Sequence, residues 1–125
     1  VFLATGTGIA PIKSILEGFD KSHKLYQNKN LWVIVGARYK EDLFWEPDFN
    51  NLNIKYIPVL SREDNNWSGE KGYVQDIVIK KQIDLTDTQV YACGSNNMIN
   101  SAKDILFKNN LQKINFFSDA FVQTN

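Results

Sequence analysis

VFLATGTGIAP, residues 1–11, reads as a buried strand, a glycine turn and the start of a helix. Val1 to Ala4 are apolar without alternation, the pattern of a strand covered on both faces. The turn Thr5-Gly6-Thr7-Gly8 follows, and its glycines let the backbone approach a ligand closely. A helix is expected from about Ala10 to Phe19, with Pro11 in its first turn, where no backbone N–H is needed. The free N–H groups and dipole of such a helix start attract an anion such as a pyrophosphate. Pro11 stands where the G-x-G-x-x-G dinucleotide fingerprint has its third glycine, and the Lys of a Walker loop is absent. A tight strand-to-helix turn without a ligand is the plain alternative.

Outward from this unit the alternation of strand and helix continues. Residues 20–30 read as a polar loop, LWVIVG at 31–36 as a second buried strand, and residues 41–51 as a short helix interrupted near Pro47. IKYIPVL at 54–60 is a third strand, 61–70 a polar loop, and a helix follows from about Tyr73 to Lys81. QVYAC at 89–93 is a fourth strand, 95–109 an amphipathic helix, and Ile114–Phe117 a fifth strand. This pattern predicts an α/β fold: a five-stranded parallel sheet of order 3-2-1-4-5 with helices on both faces. Ligands in such sheets bind beyond the carboxyl ends of the strands. Three places are singled out: the turn after Ala4, the loop after Leu60 and the turn after Cys93.

At 125 residues and 14.4 kDa the chain has room for one domain, spanning 1–125. Fourteen basic residues balance fourteen acidic ones, so no overall field draws the protein to nucleic acid or an anionic membrane, and neither is expected as a partner. The apolar runs are too short to span a bilayer. The single cysteine, Cys93, forms no internal disulfide, no Cys/His cluster offers a metal site, and a reducing cytoplasm is the expected compartment. Without an initiator Met, and opening directly on a strand, the chain is expected to be a piece of a longer polypeptide.

The other strand ends carry chemistry of their own. In Cys93-Gly94-Ser95, a thiol at a strand end beside a helix start packs against a flat ring with a lowered pKa, or is simply a small core residue. Ser61 and Arg62 suit a phosphate grip, and Tyr73 suits stacking on an adenine. Arg38, after Gly36-Ala37, is a basic residue near the ribose side of the site or a member of an ordinary salt bridge. His23 reads as a surface residue, and Glu41 and Asp42 as the acidic start of a helix.

Taken together, GTGIAP at 6–11, GAR at 36–38 with Asp42-Leu43-Phe44, PVLSRE at 58–63, WSGEKGYV at 67–74, YACGS at 91–95 and FFSDAFV at 116–122 resemble the nicotinamide-nucleotide domain of the ferredoxin–NADP reductase superfamily. The likeness covers essentially the whole chain. The Phe117–Phe121 ending is similar to that of flavin reductases and of reductases acting on CDP-6-deoxy-hexose intermediates, and oxygenase reductase components belong to the same superfamily.

The resemblance implies that Thr5, Gly6, Thr7 and Gly8 cradle the pyrophosphate of NADH or NADPH and that Pro11 shapes the helix start. It implies that Cys93, Gly94, Ser95 and Met98 border the nicotinamide, with Cys93 placing its C4 against flavin N5 and Phe121 near the isoalloxazine. Asp119 is a proton donor or orienter beside the flavin, or a turn residue. Ser61, Arg62 and Tyr73 occupy positions that hold the 2′-phosphate and adenine in NADPH-using members, which tilts the expectation to NADPH, whereas the hexose and oxygenase reductases generally take NADH. FAD or FMN is expected on a flavin-binding domain upstream in the same polypeptide, whose Arg-x-Tyr-Ser type motif this chain lacks. A 2Fe–2S module, present in many relatives, is likewise looked for outside the chain. Hydride transfer to that flavin, then electron transfer to an acceptor protein, is the implied activity, and the isolated domain is expected to be inactive. A free flavin reductase and a non-catalytic nucleotide-binding subunit stay open as alternatives.

Overall fold

Phe2–Thr5 forms the central strand β1, where Leu3 and Ala4 are fully buried from both sides. In the computed structural model, which describes residues 1–62 and 66–121, β1 pairs in parallel with β2 (Asn30–Ala37) on one flank and β5 (Val90–Gly94) on the other. Beyond β2 lie β3 (Asn53–Leu60) and a two-residue strand β4 (Glu70–Lys71); beyond β5 lies β6 (Phe116–Ala120). The sheet is parallel throughout, in the order β4-β3-β2-β1-β5-β6. The five expected strands keep their predicted order, and β4 adds a sixth at one edge.

Alternation across the strands sorts the core into two faces. Leu3, Ile34, Val59, Val90 and Ala92 point to the side covered by α3 (Val74–Lys80) and α4 (Asn96–Lys108). Phe2, Ala4, Val33, Val35 and Cys93 point to the side covered by α1 (Ile9–Lys21). α1 buries Ile9, Ile12 and Leu16, and α4 buries Met98, Ile99, Ala102 and Leu106; these spacings place one stripe of each helix on the sheet. Fully burying each such large aliphatic side chain contributes about 1.5–3 kcal/mol.

The end of α4 is fixed by Asn110, whose φ of 78° lets Leu111 N donate to Leu106 O at 3.1 Å. Leu111 is buried beside that turn and joins the same cluster as Leu106. No helix among the described residues is long and apolar enough to cross a membrane.

Three local expectations are corrected. The segment 41–51 is not a helix: only Lys40–Asp42 turns, as a 3₁₀ turn, and residues 43–49 run without regular structure, consistent with Pro47. The loop at 20–30 holds a four-residue helix, α2 (His23–Tyr26), kept on α1 by Tyr26 stacking on Phe19 with ring centroids 4.0 Å apart. The last strand begins at Phe116, not Ile114, because Lys113–Asn115 form a 3₁₀ turn that leaves Ile114 exposed. Glu63 of the PVLSRE motif, with residues 64–65 of the polar loop, and Val122 of the FFSDAFV motif lie outside the described residues.

Candidate nucleotide site

The carboxyl ends of the strands form one edge of the sheet, and a cleft of about 860 Å³ lies along it. Its size falls within the usual range for sites that hold a small molecule. Thr5, Gly6 and Thr7 lie along it where β1 ends. Arg38 and the run Glu41–Phe44 form the wall after β2; Ser61 and Gly72–Gln75 line it between β3 and α3. Ser95, Asn97, Met98 and Ser101 contribute from α4, and Phe121 from the C-terminal side.

The glycine turn is a 3₁₀ turn, Gly6–Gly8, running directly into α1. Gly6 has φ +56°, which glycine adopts without strain. A Cβ on it would meet nothing nearer than the Phe121 ring at 3.5 Å, so conformation, not crowding, favours glycine here. No side chain caps the start of α1, and no acidic residue sits in its first turn. Within the turn Ile9 N donates to Thr7 O, so the backbone itself serves that N–H and no side chain competes with a ligand at this helix start. At the neighbouring start of α4, Ser95 Oγ accepts from Met98 N at 3.2 Å, so a side chain already serves one N–H there.

Gly8 and Gly94 have a different reason to be glycine. A Cβ on Gly8 would overlap the carbonyl oxygen of Cys93, and one on Gly94 would overlap Thr5 Oγ1 and Met98 Cε. Neither lines the cleft: both are buried and let the turn after β1 press against the end of β5. Pro11 is likewise set back in α1.

Cys93 lies under the cleft, fully buried on the α1 side of the sheet. Burial pushes its thiol up to about 11, a hydrogen bond from Tyr91 pulls the other way, and the charge of Asp119 raises it further. A lowered pKa is thus overturned: the side chain is fully buried in the apolar core, where loss of water disfavours the thiolate. Asp119 is exposed on β6, in register with Cys93, and is not among the residues lining the cleft. Phe121 N donates to Gly94 O at 3.1 Å, which ties the segment after β6 to the cleft.

Beyond the ends of β2 and β3 the ladder continues, with Ser61 N donating to Ala37 O at 2.9 Å and Arg62 N to Arg38 O at 3.0 Å. Ser61, Arg38 and Tyr73 face the cleft; Arg62 is exposed but does not line it. Tyr73 is 62% exposed, its ring open to a stacking partner.

Several cleft residues escape the sequence-based site, among them Glu41, Asp42, Gln75, Asn97 and Ser101. Glu41 and Asp42, read as a helix start, stand on the wall instead. Gln75, in the first turn of α3, is only 8% exposed, and its Oε1 has no hydrogen-bond partner. A glutamine between Val74 and the apolar Ile77-Val78 was the readable signal, since a buried amide asks for a partner.

Residues 2–104 match the family model described as the oxidoreductase NAD-binding domain. The chain belongs to that family. Among relatives of this NAD-binding domain, the CDP-6-deoxy-L-threo-D-glycero-4-hexulose-3-dehydrase reductase of Yersinia pestis is 39% identical over 123 residues, covering 98% of this chain and 37% of the relative. A probable flavin reductase of Aliivibrio fischeri is 32% identical over 124 residues, 97% of this chain and 52% of that protein. The chain therefore spans between about a third and a half of these relatives. The fold is shared with the ferredoxin reductase in carbazole 1,9a-dioxygenase, at a TM-score of 0.81 and 16% identity over 97% of this chain and 37% of that one.

Proposed function

We propose that the chain binds NADH or NADPH along the carboxyl edge of its sheet and holds the nicotinamide for hydride transfer to FAD or FMN on a flavin-binding domain of the same polypeptide. The observation that carries this reading is the uncapped start of α1, opening through Gly6 and Thr7 onto a cleft of cofactor size. When bound, the reduced nicotinamide supplies the hydride. The chain's own residues bind and orient.

The terminal N–H groups of α1 and the Thr7 hydroxyl donate to the pyrophosphate. Tyr73 stacks on the adenine and Arg38 and Ser61 contact the ribose side. At the other end Thr5, Ser95 and Met98 border the nicotinamide, and Phe121 faces the flavin side. Cys93 acts from beneath: its neutral thiol fills the core and its carbonyl seats Gly8, which sets the height of the turn. Fixing the reacting atoms in this way lowers the entropic cost of hydride transfer. Asp119, at the exposed end of β6, is placed to orient a group on the flavin side.

For the whole protein, the likeness to the Yersinia reductase supports electron transfer onward to a partner of the CDP-hexose dehydrase kind; a 2Fe–2S centre outside this chain and a cytoplasmic setting belong to the same proposal. The likeness to a probable flavin reductase supports release of reduced flavin as the second reading.

Calorimetric titration of the chain with NAD⁺ and NADP⁺ tests the proposal. At least one is expected to bind below millimolar concentration, with affinity falling at least tenfold in Thr7→Glu, which sets a carboxylate where the pyrophosphate lies. No binding of either at millimolar concentration would overturn it.

A further inference from the structure

We infer that Phe44 is a second stacking residue for the adenine ring, reaching the cleft from the opposite face of the sheet to Tyr73, so that the base is clamped between two aromatic side chains. The inference rests on the cleft being the dinucleotide site and adds a positioning residue to it.

Phe44 is 73% exposed and lines the cleft. An exposed phenylalanine is by itself ordinary. This one is held in direction. From residue 43 to residue 49 half-buried and exposed side chains alternate, and Leu43, Trp45 and Phe49 pack against the core on the face covered by α1. Between two of these anchors, Phe44 is turned outward onto the cleft wall. Two hydrogen bonds fix the segment: Leu43 N donates to Lys40 O at 3.0 Å, and Tyr56 Oη donates to Trp45 O at 3.4 Å.

Tyr73 arrives from the other face. Its neighbour Val74 is buried with Ile77 in the cluster under α3, and Gly72, with φ +111°, makes the turn that delivers it. The two rings thus meet one cleft from the two faces of the sheet, at the end beyond β2 and β3. Tyr73 is 62% exposed, and among the described residues neither ring stacks on another: the aromatic pairs formed lie elsewhere. Two open aromatic faces suit a flat heteroaromatic guest, which leaves water on both of its sides when it enters. Arg38 and Ser61 line the same end, and β1 separates it from Ser95 and Met98, which follow β5. The ring taken up here is therefore the base and not the nicotinamide.

Calorimetry with NAD⁺ and with ADP-ribose, which carries the adenine but no nicotinamide, compares the native chain with Phe44→Ala and Phe44→Tyr. Because the ring is largely exposed, Phe44→Ala is expected to unfold at the native temperature without ligand. It should bind both ligands about fivefold or more less tightly, the scale of one lost base-stacking contact, and Phe44→Tyr should bind them as the native chain does. Nuclear Overhauser contacts between the Phe44 ring and the adenine ring protons should accompany binding. Unchanged affinities in Phe44→Ala, or the absence of those contacts, overturn the clamp while leaving the dinucleotide site standing. Loss of affinity for NAD⁺ but not for ADP-ribose overturns the assignment to adenine. Failure of the native chain to bind either ligand at millimolar concentration overturns the site itself, and the clamp with it.

Discussion

Gly8 rests directly on the carbonyl of Cys93, with no room between them for a methyl group. The contact joins the turn after β1 to the end of β5, the two strand ends over which the dinucleotide is proposed to lie. Gly8→Ala must displace backbone and is expected to destabilise the fold by about 3 kcal/mol, at the upper end for overpacking. Urea unfolding measures this, and a cost below about 1 kcal/mol would show the contact to be yielding.

The buried Cys93 thiol, pushed up to about 11, gives a pH signature. Its folded pKa exceeds the unfolded value of 9.0, so the folded state holds its proton more tightly. The stabilisation is complete below pH 9 and is lost as pH rises through about 11, amounting to roughly 2 kcal/mol. Between those pH values the native chain should lose stability faster than Cys93→Ala. At pH 7, thiol reagents should label the native chain far more slowly than the unfolded chain.

Ser95 caps α4 by accepting from Met98 N. Ser95→Ala is expected to cost about 1 kcal/mol of stability. Thermal unfolding checks the loss, and Ser95→Asp, which keeps an acceptor at the cap, should recover most of it.

Gln75→Leu separates binding from folding. It removes a buried, unpartnered amide oxygen, so stability should stay level or rise by up to about 1 kcal/mol. Dinucleotide affinity should be unchanged, because that oxygen is sealed from the cleft, and a clear stability loss would contradict its lack of a partner.

Glu70 anchors the small strand β4 to α3 through Lys80 at 2.5 Å and Lys81 at 3.1 Å. Hydrogen bonds from Lys80 and Lys81 hold its carboxyl below the usual range. That contribution is present above the ordinary carboxylate pKa and is lost as pH falls through the lowered folded value. Lys80 is largely exposed, so Glu70→Gln should cost under about 1 kcal/mol, and less in high salt.

The central strands were legible because burial on both faces leaves a continuous apolar run, as in Leu31–Val35. β4 was not: two residues, Glu70 and Lys71, carry no periodicity, and only the register with Val59 and Leu60 makes them a strand. Ile114 misled by being apolar, although it is 78% exposed. Within the site, Thr5, Gly6 and Thr7 could be read from the turn itself. Gly8 and Gly94 lie behind the cleft, and the sequence could not show this: a glycine that clears a neighbouring strand and one that clears a ligand look alike until the strands are paired. Glu41 and Asp42 were hidden because acidic residues after a strand read equally as a helix start.

The measurement that bears most directly on the central claim is amide chemical-shift mapping of the isotope-labelled chain as NAD⁺ is added. Shifts concentrated at Thr5–Thr7, Arg38, Ser61, Tyr73 and Ser95–Met98 are predicted, tracing the carboxyl edge from the adenosine end to the nicotinamide end. Shifts centred instead at the amino edge, around Lys29–Trp32 and Asp84–Gln89, or none at millimolar NAD⁺, would contradict the account.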